Sequence, residues 1–360
     1  MTTQNFLGKE NFTINNQTVS ESCPSNIALI KYWGKYENQI PANPSISYTL
    51  NHCKTNTSIE FFANEPFSVQ TYLAGNEEKK FAEKIEKYFK NIEQYLPWVL
   101  KGKYIIKTEN TFPHSSGIAS SASGFGAIAK CLMSLDVQFS NENQESSIIN
   151  HQSSFILKKA SFLARLGSGS ACRSLYEGLV VWGKTDEVEN SSDLFAVQYP
   201  NEEIHPIFKN FNDWVLLIHE GEKSVSSTVG HGLMNTNPYA QRRFQEAHEN
   251  FKTIKSILKN GDLQEFIKLV EHEALTLHAM MMMSEPAFIL MKTGTLQVIN
   301  KIWEFRKETN LPLFFTLDAG ANVHLLFPEN SDSEKIQEFI VKDLLQFTQN
   351  NGVVKDVMRF

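Results

Sequence analysis

The chain has no apolar run approaching the ~18 residues that cross a bilayer, which excludes a helical membrane anchor from the expected architecture. Its opening stretch, MTTQNFLGKENFTINNQTVSES, is polar and lacks the apolar centre of a secretory signal. Cysteine is scarce. Cys23, Cys53, Cys131 and Cys172 are scattered and form no CxxC pair, so reduced thiols and a cytoplasmic location are expected. Positive charge is not in excess. The formal net charge of −6 argues against nucleic acid as the main partner, although a local basic cleft could still hold small anions. No HExxH zinc motif occurs, since His272 and His278 stand six apart. A Walker A loop is excluded because Phe125, not lysine, follows Gly124. There is no internal repeat and no low-complexity tract.

What is present suits an ordinary soluble globular protein. The 360 residues are enough for two domains, and 41% hydrophobic with 21% charged residues is a usual soluble composition. The most informative stretch is PHSSGIASSASGFG, Pro113 to Gly126. It follows an alternating strand pattern, KYIIKTEN, and precedes an apolar helix pattern, AIAKCLMSL. A strand, a Gly/Ser loop and a helix start make a phosphate cradle: glycine lets the backbone approach, hydroxyls and N–H groups donate, and the helix dipole favours the anion. The competing reading is a serine-capped helix after a tight turn.

Three further stretches bear on function. NIALIKYWGK runs apolar from Asn26 to Ile30 and then sets Lys31 and Lys35 around two aromatics and a glycine, either an anion site or a surface turn. GSGSACRSLYEG, Gly167 to Gly178, is a second Gly/Ser turn in which Arg173 offers a planar fork for carboxylate or phosphate. EKSVSSTVGHG, Glu222 to Gly232, reads as a polar loop. Around these, strands are expected at 45–50, 57–62, 67–73, 103–110, 179–182, 214–219, 311–317, 323–327 and near Val353. Helices are expected at 77–96, 127–135, 153–166, 238–258, 263–283, 296–309 and 333–347. The polar, acidic segment 186–207 is the best domain boundary.

Taken together, SNIALIKYWGK, PHSSGIASSASG, GSGSACRSLYEG and TLDAGAN, in that order, resemble mevalonate diphosphate decarboxylase of the GHMP small-molecule kinase superfamily. The resemblance implies an α+β fold: a domain like the second domain of ribosomal protein S5 over residues 1–200, and a ferredoxin-like domain over 201–360, with the active site between them. It also implies a cytoplasmic homodimer using ATP and Mg²⁺ to convert mevalonate 5-diphosphate to isopentenyl diphosphate, ADP, phosphate and CO₂. By the same resemblance Ser115, Ser116, Gly117, Ala119, Ser120 and Ser121 hold ATP. Tyr32, Trp33, Gly34, Lys35 and Lys84, together with Ser168, Gly169, Ser170, Ala171, Cys172 and Arg173, hold substrate. Ser227 and Thr228 flank the transferring phosphate, Arg173 holds the substrate carboxylate or a nearby phosphate, and Asp318 is the catalytic carboxylate.

Two motifs depart from the family pattern, and the family's basic residue after the third strand falls within Lys80 to Lys84, where Lys84 is favoured. DAGAN has Ala321 in place of proline, and His231-Gly232 stands where the family has Met and a polar residue, often Arg. The second change leaves a diphosphate contact to be supplied by Arg242, Arg243 or Lys223. It also keeps in view a decarboxylase of mevalonate 5-phosphate; a kinase that stops at the phosphorylated product and a non-catalytic binding protein that kept the fold are the other rivals.

Overall fold

The computed structural model describes residues 1–113, 118–140, 149–221, 224–330 and 332–359. Two long antiparallel strands, β1 (Gln17–Ile30) and β2 (Ser45–Phe62), form the spine of the first sheet. β3 (Ser68–Leu73) and β4 (Asn76–Glu77) follow, then α1 (Lys79–Ile92) and β5 (Lys103–Asn110). Helices α2 (Ser120–Phe139) and α3 (Ile149–Gly167) lead through a 3₁₀ turn at Gly169–Leu175 into β6 (Leu179–Trp182) and β7 (Val197–Gln198). The sheet order is β4-β3-β5-β2-β6-β7 with β1 also paired to β2, antiparallel except for the parallel β3–β5 pair.

The second sheet is antiparallel, in the order β11-β8-β10-β9, from β8 (Asn210–Leu216), β9 (Phe314–Leu317), β10 (Val323–Pro328) and β11 (Val353–Arg359). Between β8 and β9 lie α4 (Ser227–Leu233), α5 (Ala240–Asn260), α6 (Leu263–Met282) and α7 (Thr293–Thr309). α8 (Ser333–Phe339) comes before β11.

Burial explains how the halves meet. The far part of β2 alternates: Thr55, Thr57, Ile59 and Phe61 point inward beneath α1 and α2. Its near part, Ser45 to Leu50, is buried on both faces, because the second sheet and α5–α6 pack on the side α2 leaves open. Ile27, Ile46 and Tyr48 thereby share one core with Phe211, Phe266 and Phe314. Asp356 on β11 fastens the junction: its carboxylate accepts the backbone N–H groups of Asn51, His52 and Cys53 at 2.7–3.1 Å.

A second fastening is a buried ion pair. Arg243 on α5 donates Nη1 to Glu273 on α6 at 3.1 Å and also bonds the other carboxylate oxygen through Nη2. Asn250 donates to Glu273 at 2.6 Å, and the Lys31 backbone N–H does so at 2.9 Å. Buried charges are tolerable only when satisfied to this degree. The effect here is to lock the end of β1 against α5 and α6.

Several elements differ from the sequence expectation for physical reasons. The strands expected at 45–50 and 57–62 are one, since Asn51 and His52 stay extended on the Asp356 carboxylate. The segment from Asn26 to Ile30, with the tail of the polar lead-in, is continuous β1. α2 begins at Ser120 rather than 127, so the second half of the Gly/Ser loop is helical. The polar stretch at 222–232 is helical from Ser227, with the Ser226 hydroxyl accepting the Val229 N–H at 3.3 Å as an N-cap. The helix expected over 333–347 is α-helical only to Phe339 and ends in π and 3₁₀ turns.

Candidate active site

A cleft of about 660 Å³ opens where β1, α1, α2, the Gly169–Leu175 turn, α4 and the β9–β10 turn converge. That volume is in the ~300–1,000 Å³ range of small-molecule sites. Its charge is lopsided. Among the described residues, Lys31, Lys35, Lys84, Lys87 and Arg173 line it against one carboxylate, Asp318. An acidic chain therefore carries a local basic cleft.

Each basic group is held differently. Lys31 ends β1 with only 2% of its surface exposed, and its Nζ donates to the Ala28 carbonyl at 2.5 Å. Burial pushes its pKa down to about 8, while Asp318 and Glu273 act to raise it. Lys35 donates to Gln39 at 2.8 Å, and Lys84 lies 4.9 Å from the Phe125 ring centroid. Burial lowers the pKa of both, and Lys84 adds to the effect on Lys35. Arg173 is buried, with Nε on Asn26 at 3.2 Å and Nη1 on Ser45 at 2.5 Å. Trp182 sits beneath its guanidinium at 5.9 Å. The second terminal nitrogen, Nη2, is left for the cleft.

Asp318 directly follows β9, and the N–H of Gly320 turns back onto its carbonyl at 2.7 Å. His278 on α6 bonds the same carbonyl at 3.1 Å. The carboxylate thus sits at the rigid end of a buried strand, and its field reaches Lys31, Arg173 and His231.

Across the cleft, Ser120 and Ser121 occupy the first turn of α2, and Ser121 approaches Ser168 at 3.4 Å between hydroxyls. Among the described residues no side chain caps α2, and Ala119 before it is left-handed (φ 42°). The leading N–H groups of a twenty-residue helix are therefore available to an anion. Phosphates fit this donor set. A dedicated metal cage does not: among the described residues no group of three or more His, Cys, Asp or Glu could hold an ion. Magnesium would have to arrive on nucleotide phosphates and keep several waters.

The structure sorts the sequence candidates. Tyr32, Trp33, Lys35, Lys84, Ala119, Ser120, Ser121, Ser168, Gly169, Ser170, Arg173, Ser227, Thr228 and Asp318 all line the cleft. Gly34, Ala171 and Cys172 do not. Gly34 turns the chain at φ +104°, where a Cβ would also strike Phe244, and Ala171 and Cys172 are fully buried behind the turn. Gly169 is needed for close approach, since a Cβ there would lie 2.8 Å from the Tyr32 hydroxyl. Ser115, Ser116 and Gly117 lie outside the described residues, as does Lys223.

The other two substitutes for the missing basic contact are corrected. Arg242 pairs with Glu249 at 3.0 Å on the surface, and Arg243 is spent on Glu273. His231 is no gap in the pattern either. It is buried, 4.3 Å from the Tyr32 ring and 4.5 Å from the Trp33 ring, and its Nδ1 accepts the Gly34 N–H at 3.0 Å.

Lys31, which the sequence offered with Lys35 as an anion site or a surface turn, lines the cleft, while sequence reasoning passed over Lys87 as a site residue and Asn26 as partner to Arg173. A lysine closing an otherwise apolar strand, as Lys31 does after NIALI, is a usable signal. The pairing of Asn26 with Arg173 spans 147 positions and has none.

Comparison with known proteins bears on this geometry. Residues 23–194 match the model of the diphosphomevalonate decarboxylase-like N-terminal domain. Residues 214–358 match that of the mevalonate 5-diphosphate decarboxylase C-terminal domain. The diphosphomevalonate decarboxylase of Saccharomyces cerevisiae is 30% identical over 90% of this chain and 81% of its own length. The chain belongs to the diphosphomevalonate decarboxylase family.

The fold agrees: the mevalonate diphosphate decarboxylase of Staphylococcus aureus superposes with a TM-score of 0.77 at 30% identity, covering 95% of each chain. A solved complex described as MDDEF with MVAPP, AMPPCP and magnesium gives 0.77 at 26% identity over 94% of this chain and 97% of that one. The two-domain GHMP kinase fold implied by the motifs is the fold of this family member. All four cysteines are free and buried, and burial raises the thiol pKa values of Cys23 and Cys172 to about 12, so they remain unreactive.

Proposed function

We propose that the chain carries out ATP-dependent decarboxylation of mevalonate 5-diphosphate to isopentenyl diphosphate, releasing ADP, phosphate and CO₂. The observation that carries this reading is the carboxylate of Asp318, set at a strand end in a cleft whose other charged lining, among the described residues, is lysines and Arg173. ATP supplies the phosphoryl group that makes a poor leaving group, the 3-hydroxyl, into a good one.

The residues divide the work as follows. Ser120, Ser121 and the α2 N-terminus bind nucleotide phosphates, and Ser227 and Thr228 on α4 face the group in transit. Asp318 accepts the 3-hydroxyl proton as that oxygen bonds the terminal phosphorus of ATP and the bridging P–O bond breaks, its electron pair leaving on ADP. Lys31, whose charge Asp318 favours, offsets charge on the oxygens. Lys35 and Lys84 hold the substrate diphosphate. Arg173 directs Nη2 to the substrate carboxylate and fixes its plane. The C3–O bond then breaks with its electrons leaving on phosphate. The C1–C2 bond breaks in turn, its pair forming the C2=C3 double bond as CO₂ departs. Positioning and fixed charge supply most of the rate.

In the same reading the division falls near residue 200, between the segments that match the two family models. The chain works as a cytoplasmic homodimer. No helix among the described residues is long and apolar enough to cross a membrane.

Comparing kcat/KM for mevalonate 5-diphosphate and mevalonate 5-phosphate tests the substrate. The diphosphate should be preferred, and a preference for the monophosphate would replace this reading with its nearest rival.

Two further results are expected. A Ser120→Ala, Ser121→Ala double variant should lose affinity for ATP more than for substrate, read by calorimetry; unchanged ATP affinity in the folded variant would remove α2 from the nucleotide site. The second concerns pH. Lys31 is charged below its depressed pKa of about 8 and neutral above it, so kcat/KM should fall about tenfold per pH unit above that point. Lys31→Arg, charged throughout, should shift this limb upward. A flat wild-type profile to high pH would show that the Lys31 charge is not used.

A further inference from the structure

His231 is held in a way the reaction scheme above leaves unused. The Gly34 backbone N–H lies 3.0 Å from Nδ1. A backbone N–H can only donate, so Nδ1 carries a lone pair and the ring proton is on Nε2. The imidazole is clasped by Tyr32 at 4.3 Å and Trp33 at 4.5 Å, and 8% of the residue's surface is exposed. No carboxylate pairs with it among the described residues. Nε2 has no acceptor among them either, yet it is not a sealed, unsatisfied atom, and His231 lines the cleft. What Nε2–H opens onto is therefore the cavity.

Its place in the cleft is informative. The charged groups that act on the ring are Lys35 from the turn after β1, Asp318 from the turn after β9, and Arg173 from the turn before β6. His231 thus lies within the fields of Lys35 and of the Asp318–Arg173 end alike. A substrate stretched from its reacting carbons to its diphosphate passes it.

Building on the reading above, we propose that His231 is a specificity-determining residue that donates a neutral hydrogen bond from Nε2–H to an oxygen of the substrate diphosphate. Burial, with Lys35 adding to it, lowers the His231 pKa to about 3, so the donor stays neutral while Lys35 and Lys84 supply the charge. A neutral imidazole contributes direction rather than attraction. It aligns the diphosphate on the lysines without adding a cation beside Arg173.

The test has two arms. In wild-type protein labelled with ¹⁵N-histidine, His231 should show a protonated Nε2 and an unprotonated Nδ1 from pH 5.5 to 8, and inorganic pyrophosphate should move the Nε2–H resonance. In the kinetic arm, His231→Met, close in size but without a donor, should raise KM for mevalonate 5-diphosphate by ~10–10²-fold with kcat little changed, the range for a hydrogen bond to a charged group. His231→Gln, which restores an N–H, should recover part of the loss. A resonance unmoved by pyrophosphate, or an unchanged KM in a folded His231→Met protein, overturns the proposal. If wild type turns over no mevalonate 5-diphosphate, the functional reading fails instead, and the pyrophosphate titration still decides for His231.

Discussion

Asp318→Asn should lower kcat by ~10²–10⁴-fold and leave substrate binding nearly intact, because the amide fills the same space but cannot take the hydroxyl proton. The backbone of Asp318 is fixed by β9 before it and by bonds from Gly320 and His278 to its carbonyl, none of which uses the carboxylate. A turn-capping role would predict little change, since Asn caps nearly as well as Asp. ADP and CO₂ should fall together, because carboxylate loss waits on phosphorylation. Near-normal ADP formation without CO₂ would move Asp318 to the second step and overturn its role as base.

Arg173→Lys should be the other large effect, ~10–10²-fold in kcat/KM although the charge is retained; the figure corresponds to losing one charged hydrogen bond and leaving buried partners unmet. The guanidinium serves Asn26, Ser45 and the Trp182 face at once while presenting Nη2 to the cleft. An ammonium is a point charge on a flexible stem and cannot hold three directions. Wild-type turnover by Arg173→Lys, measured alongside melting temperature, would reduce Arg173 to a packing residue.

What could be read from the chain was whatever is local. α1 announces itself through Ile85, Tyr88, Phe89 and Ile92 at helical spacing, and these are its buried residues. The Gly/Ser motifs marked the cleft because backbone approach to an anion demands small residues in order along the chain. The same composition hid structure. Ser120 to Gly126 and Ser227 to Leu233 are helical, yet serine and glycine are weak helix formers; burial of Ala122, Ser123, Phe125 and Gly126 holds the first, and the Ser226 cap with buried Gly230 and His231 holds the second.

Long-range contacts were out of reach. The continuity of β2 depends on Asp356, more than three hundred positions away. The environment of Lys31 is made by Glu273 and Asp318 from the other half of the chain. His231 looked like a departure from a family pattern; only the fold shows it docked on Gly34.

The most direct measurement follows ADP and CO₂ separately in one reaction of the purified protein with ATP, Mg²⁺ and mevalonate 5-diphosphate. One cleft performing phosphorylation and then fragmentation should yield the two products in a one-to-one ratio, with isopentenyl diphosphate formed in the same amount. ADP accumulating with a stable phosphorylated product and no CO₂ would make the protein a kinase and contradict the assignment of Arg173 and Asp318 to a decarboxylation.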